Sequence, residues 1–295
     1  MVKGALIMKI KTAIALGTFD GVHKGHLAVL KLPHDYYKVA VTFEYPPKVY
    51  FADKKELLMS ATDKKESLRQ LGIDEILLLD FSLVKDMSAE DFLEFIYDKY
   101  KPALISCGFN YKFGKKGSGN IELIKSFCEK NNIDFDCQPP VEADGNAISS
   151  TNIRELLRNG KVESAATLLN KPFSFVAEVI HGDRRGRTIG FPTINLIPPE
   201  NKLLPSFGVY ITKVTIDGIV YQGVTNVGCK PTIEGTNPVG IETHILDFKQ
   251  DVYDKVAIVT FIKKIREERK FPNLDSLLEQ LRLDVNEAKY YFSLH

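Results

Sequence analysis

The chain has almost no net charge: 39 lysines and arginines nearly cancel 38 aspartates and glutamates, leaving a formal +1 over 295 residues. That balance gives no electrostatic footprint for nucleic acid or an anionic membrane surface. No basic stretch interleaved with aromatics points to RNA either. No apolar run approaches the about 18 residues that a membrane-spanning helix needs. The start lacks the apolar core of a signal peptide, so a cytoplasmic location is expected. Cysteine is sparse and unpatterned. Cys107, Cys128, Cys137 and Cys229 form no C-x-x-C pair, which argues against a zinc site or redox pair and fits free thiols in a reducing compartment. Internal repeats and low-complexity segments are also missing.

What remains is ordinary globular composition, 44% apolar and 26% charged. The length exceeds what one core usually serves, so two domains are expected, 1–170 and 171–295, divided near Lys171-Pro172. The first half alternates strand-like runs (11–17, 36–44, 74–81, 102–108, 133–140) with helix-like runs (24–32, 62–72, 88–100, 120–132). Alternation of this kind predicts an α/β domain, a parallel sheet with helices on both faces. Ligands of such sheets bind at the carboxyl ends of the strands, so motifs that follow strands matter most. After a helical stretch (150–172), the second half turns to short β-rich runs broken by turn signals such as "IDGI", which predicts an antiparallel β-barrel. A helix over 274–292, capped by Asp275, ends the chain.

Three stretches carry chemistry. "ALGTFDGVHKGH" (15–26) follows the first strand. Its glycine lets the chain turn sharply out of the strand. His23 and His26 then fall at the start of a helix, where anions are favoured, and their imidazoles can donate to charge developing on a phosphate. "ISSTNIR" (148–154) offers the hydroxyls and backbone N–H groups of Ser149, Ser150 and Thr151 at a helix start, with the fork of Arg154 one turn on. That is a grip for a triphosphate. "HGDRRGRTIGFPTINL" (181–196) has glycines at 182, 186 and 190 among charged residues, as in a phosphate-covering loop, but no Gly-Lys-Ser/Thr of a Walker A motif. Thr193 and Asn195 alternate with Ile194, so on an extended segment their oxygens face one side, where they suit Mg²⁺. Each motif alone also has a plain reading: surface histidines, a serine cap, a Gly/Pro turn before an edge strand.

"GTFDGVHKGH" resembles the His-x-Gly-His motif of the nucleotidylyltransferase superfamily in the form used by bacterial FAD synthetases. "TFEYPP" (42–47), "CGFNYKFGKKGSG" (107–119) and "ISSTNIR" are similar to further motifs of that family. "GRTIGFPTIN" (186–195) resembles the riboflavin kinase motif, with Ile194 in place of alanine, and the likeness continues through "FGVY" (207–210), "GVTNVGCKPT" (223–232), "IETHILDF" (241–248) and "FIKKIREERKF" (261–271). The resemblance spans about residues 11–292, with its motifs in family order. It implies a Rossmann-like FMN adenylyltransferase domain followed by a riboflavin kinase barrel, making FMN and then FAD from riboflavin and two ATP, with Mg²⁺ in both steps.

The implied roles are as follows. His23 and His26 act on the phosphates of the adenylyl-transfer transition state, and Gly17, Phe19 and Asp20 shape the nucleotide pocket. Asn110 contacts ATP or flavin, while Ser150, Thr151 and Arg154 hold pyrophosphate. In the kinase half Glu242 is the base for the riboflavin hydroxyl. Gly182, Gly186, Arg187, Thr193, Asn195 and Arg266 bind ATP or flavin, with Thr193 and Asn195 on the metal. Two positions depart from the pattern: "FEYPP" lacks a histidine common in that loop, and Asp254 replaces a glycine. The rivals are a nucleotidylyltransferase acting on another phosphate, which the complete kinase half argues against, and a non-enzymatic nucleotide sensor joined to a binding module. The expected partners are small molecules, without nucleic acid or membrane.

Overall fold

Residues 12–16, TAIAL, are apolar after Thr12 and flanked by a lysine and a glycine, which suits a strand buried on both faces. In the computed structural model, which describes residues 10–52, 56–181, 189–229 and 239–295, they form β1 (Thr12–Leu16) at the centre of a five-stranded sheet. The described residues divide into two compact units, one ending at Ser150 and one running from Thr151 to His295.

In the first unit β1 pairs in parallel with β2 (Tyr37–Phe43) and β4 (Leu104–Gly108). β3 (Glu75–Leu79) lies outside β2 and β5 (Asp134–Gln138) outside β4, giving the order β3-β2-β1-β4-β5. The winding reverses between β1 and β4, and the crevice at their carboxyl ends is where such a sheet receives a ligand. Alternate residues of β1 serve opposite faces. Ala13 and Ala15 pack with Val29 and Leu30 of α1 (Lys24–Leu30), and with a leucine of a later helix, Leu68. Ile14 and Leu16 meet Phe92, Leu93, Ile96 and Ile124 on the other face. Those partners come from α3 (Ala61–Gln70), α5 (Ala89–Tyr100) and α6 (Ile121–Asn131). Ser60 and Ser88 cap α3 and α5 by accepting the N–H of Asp63 and of Asp91, each at 3.0 Å. Two short helices that the sequence pattern does not announce are α2 (Pro47–Tyr50), started by the proline pair, and α4 (Phe81–Val84), capped by Asp80. A small hairpin, β6 (Glu142–Ala143) and β7 (Asn146–Ala147), precedes α7 (Ser150–Arg158).

In the second unit α7 and α8 (Val162–Leu169) lead into a closed antiparallel barrel. Its strands are β8 (Ser174–Ile180), β9 (Ile194–Leu196), β10 (Gly208–Ile216), β11 (Ile219–Cys229), β12 (Val239–Ile245) and β13 (Val256–Arg266), in the order β10-β11-β12-β9-β8-β13. Buried hydroxyls of Thr212, Thr225 and Thr243 link β10, β11 and β12 at 2.8 Å each. On the alternate positions Val209, Ile211 and Val224 pack under Ala288 of α9 (Leu274–Leu294).

That last helix corrects one expectation. Its cap is Asn273, whose side chain accepts the N–H of Ser276 at 2.9 Å, and Asp275 sits inside the first turn. Asn in extended backbone satisfies the free N–H groups as well as Asp does, so the helix starts where the first good cap occurs. The helix is tied to β13 by Arg266, which donates to the buried carboxylate of Asp284 from Nε at 2.9 Å and from a terminal nitrogen at 2.8 Å. Gln280 donates to the same carboxylate at 2.6 Å. Removing Asp284 leaves Arg266 without that partner, although its side chain is 17% exposed and partly screened. Asp284→Ala is therefore expected to cost about 2 kcal/mol, below the usual penalty for breaking a fully buried pair. A lower urea midpoint for the unfolding of the second unit, followed by circular dichroism, checks this.

Candidate functional site

At the end of β1 the chain must leave the sheet without obstructing its edge. Gly17 permits this, because a Cβ there would lie 2.6 Å from the ring of Phe19. Phe19 and Val22 both adopt left-handed backbone, at φ 46° and 44°, which is costly for a bulky or β-branched residue and collects at functional sites. The strain is held by contacts on every side. The Thr18 carbonyl accepts from the Thr42 hydroxyl at 2.8 Å and from the Lys64 ammonium at 3.0 Å. The buried Asp20 carboxylate accepts the Leu58 N–H at 3.1 Å, and its own carbonyl accepts from the Ser150 hydroxyl at 2.9 Å. The Phe19 ring is fully buried and meets His26 edge-on, with centroids 5.4 Å apart.

His23 is the N-cap of α1, its Nδ1 accepting the backbone N–H of His26 at 3.4 Å. In the neutral ring that contact puts the proton on Nε2. The two imidazoles stack, centroids 3.6 Å apart and planes 18° from parallel. Nδ1 of His26 is buried and has no hydrogen-bond partner among the described residues. Burial first, then His23, then Lys64 push its pKa well below the usual histidine value, so the ring is uncharged at neutral pH.

Gly17, Phe19, Asp20, His23, His26 and Ser150 thus form one constellation at the carboxyl edge. Asn110 is exposed two residues beyond β4, the strand next to β1. Thr151 and Arg154 follow Ser150 along α7. Sequence reasoning missed Lys64, which is 1% exposed. Its only signal was helical spacing: Lys64 stands four residues before Leu68, on the apolar stripe of α3.

In the second unit strand register does the assembling. Asn195 of β9 stands opposite Glu242 of β12, and Glu242 stands opposite Asn226 of β11. Alternation puts all three on the face opposite the threonine ladder. His244, on the same face as Glu242, bonds through Nδ1 to the Pro192 carbonyl at 2.8 Å and fixes the segment that carries Thr193. Thr193 is half-buried just ahead of β9, and Asn195 is 6% exposed. Asn226 is the residue the sequence reading left without a role, though it lies within "GVTNVGCKPT". Arg266 is engaged with Asp284, and beside it Gly208 takes φ 149°, where a Cβ would come within 2.5 Å of the Arg266 carbonyl. Gly182, Gly186 and Arg187 lie outside the described residues. Among those described, no three His, Cys, Asp or Glu side chains are grouped to hold a metal. Asn195 nevertheless stands opposite Glu242 in register, and Thr193 precedes it by two residues, so the side-chain oxygens of Thr193 and Asn195 are hard donors of the kind that suits Mg²⁺ sharing its shell with phosphate.

Comparison with known proteins separates the chain along the same lines. Residues 7–152 match the FAD synthetase family and residues 169–292 the riboflavin kinase family. The bifunctional riboflavin kinase/FMN adenylyltransferase of Listeria monocytogenes is 33% identical over 298 residues, covering 96% of this chain and 93% of the relative. The protein of the same name from Bacillus subtilis is 36% identical over 295 residues, with the same coverage. A crystal structure from Streptococcus pneumoniae, titled as a macrolide-efflux protein, superposes with a TM-score of 0.87 at 30% identity, covering 95% of this chain and 94% of that one. No helix among the described residues is long and apolar enough to cross a membrane. Two family matches in sequence, joined by relatives similar along nearly the whole chain, make it a member of the bifunctional riboflavin kinase/FMN adenylyltransferase family.

Proposed function

We propose that the family's two reactions, ATP-dependent phosphorylation of riboflavin to FMN and adenylylation of FMN by ATP to FAD and pyrophosphate, run at two separate sites of this chain. Residues 1–170 are assigned to adenylyl transfer and 171–295 to phosphorylation.

In adenylyl transfer a phosphate oxygen of FMN attacks the α-phosphorus of ATP in line, and pyrophosphate leaves. Such a reaction needs positioning and charge stabilisation more than a covalent nucleophile. The observation that supports the assignment is the stacking of His23 and His26 at the start of α1, with Nδ1 of His26 buried and without a hydrogen-bond partner among the described residues. Gly17, Phe19 and Asp20 hold the rings in place, Ser150, Thr151 and Arg154 take the pyrophosphate, and Asn110 contacts the nucleotide or the flavin.

In phosphorylation Glu242 takes the proton from the riboflavin 5'-hydroxyl as its oxygen attacks the γ-phosphorus. Asn226 and Asn195 flank Glu242 in register and orient it. Thr193 and Asn195 would hold Mg²⁺, which neutralises phosphate charge when bound. Gly182, Gly186 and Arg187 cover the ATP phosphates, and Arg266 fixes the β13 end beside the flavin. The reading takes the protein to be cytoplasmic, where Cys107, Cys128 and Cys137 stay reduced.

Chromatography of the flavins over time tests the division. Glu242→Gln is expected to abolish FMN formation from riboflavin while supplied FMN still becomes FAD. His26→Ala is expected to stall the pathway at FMN, lowering FAD synthesis at least about 100-fold, as removal of one transition-state donor does. Loss of both steps in either variant overturns the assignment. The two roles of His23 also separate. His23→Ala should cost about 1 kcal/mol of stability through the lost cap, while His23→Asn keeps a cap acceptor and most of that stability. Both should lose FAD synthesis, which steady-state rates beside thermal melts would show.

A further inference from the structure

Among the described residues Lys64 is the one fully buried lysine, and the described carboxylates nearest in effect, Asp20 and Glu44, form no ion pair with it. Its ammonium donates to two carbonyl oxygens, of Phe43 at 2.7 Å and of Thr18 at 3.0 Å. Phe43 ends β2, and Thr18 begins the strained turn after β1. A buried charge held only by carbonyls opposes folding, and an apolar side chain of similar length would fill the same space without burying a charge. The packing of α3 therefore does not account for a lysine, whereas the adjacent site does.

We propose that Lys64 is a positioning residue for adenylyl transfer, clamping the turn that bears His23 and His26 to the end of β2 and setting a fixed positive charge behind the two imidazoles. The proposal rests on the reading of the histidine motif as the adenylyl-transfer site. From the sheet side the charge is faced by the carbonyls of Thr18 and Phe43 and, at longer range, by the carboxylates of Asp20 and Glu44. From the ligand side it is faced by His26, whose protonation it opposes. In a low-dielectric site a charge so placed stabilises negative charge growing on the phosphates, and it keeps His26 uncharged until they arrive. Burial pushes the Lys64 pKa down to about 8, against the pull of Asp20 and Glu44. Above that pH the neutral amine still donates to both carbonyls, but the charge is gone.

The test follows kcat/KM for FMN adenylylation by the full chain across about pH 6–10, since that ratio reports groups of the free enzyme. Riboflavin phosphorylation in the same preparations is the internal reference. Wild type is expected to lose adenylylation through a limb centred near pH 8, the value to which Lys64 is pushed. Lys64→Gln, which keeps a neutral donor, and Lys64→Met, which keeps neither, should both be about 10–100-fold slower at neutral pH and lack that limb. Lys64→Gln should keep its thermal stability, because a donor remains and a buried charge has gone; Lys64→Met, which takes the donor from both carbonyls, should melt lower; phosphorylation should be unchanged in both. The His26 titration, followed by NMR, should move up in both. A flat wild-type profile, or a limb that stays in place in Lys64→Gln, would overturn the proposal. So would variants that melt early but keep the wild-type profile. The wild-type profile decides even if Lys64→Met does not fold. If His26→Ala retains FAD synthesis, the underlying site assignment fails. If His26→Ala loses it while both Lys64 variants keep wild-type rates and limb, only the role of Lys64 fails.

Discussion

The carbonyl oxygen of Thr18 accepts two hydrogen bonds, from the Thr42 hydroxyl and from the Lys64 ammonium. That oxygen lies between the end of β1 and a turn containing two bulky residues in left-handed backbone. The turn cannot be stable by itself, since strained residues persist only where the surroundings over-determine them. Here the surroundings are β2, α3, the segment at Leu58 and Ser150, each contributing one contact. Held this way, the turn delivers His23 to the start of α1, and the α1 backbone delivers His26 into stacking range. The geometry of two histidines is thus fixed by contacts with elements far away in sequence.

The barrel solves its positioning problem in another way. Among its described residues the non-glycine residues with positive φ, such as Asp217, Asp247 and Asp254, are short polar ones that tolerate it, none bulky or β-branched. Asn195, Glu242 and Asn226 come together because three antiparallel strands are paired in one register, and a slip of one residue would send all three to the opposite face. That register is pinned from the other side by the buried threonine hydroxyls, which meet only when the strands are aligned. A ladder remote from the chemistry therefore decides where the carboxylate stands.

Much of this could be read in the sequence. The alternation of elements gave the parallel sheet, and TAIAL followed by Gly-Thr-Phe-Asp-Gly marked the edge where a ligand belongs. The barrel and its closing helix followed from short β-rich runs and turn signals. What could not be read depended on tertiary contact. Lys64 sits in a charged run, and burial of a lysine is decided by carbonyls arriving from the end of β2 and from the turn after β1. The start of α9 hung on a choice between Asn273 and Asp275, two caps of nearly equal strength that only backbone geometry distinguishes. The helix at Pro47 and the role of Asn226 depend on packing and register, which composition does not encode.

The cap made by His23 has a further consequence. Because its Nδ1 accepts the helix N–H, the neutral ring carries its proton on Nε2, and that nitrogen has no lone pair to offer outward. A divalent cation could bind there only if the proton moved to Nδ1 and the cap broke. The start of α1 therefore ties the tautomer of His23 to the integrity of the helix. One backbone contact thus removes from His23 the ready metal-binding form that an uncapped imidazole has.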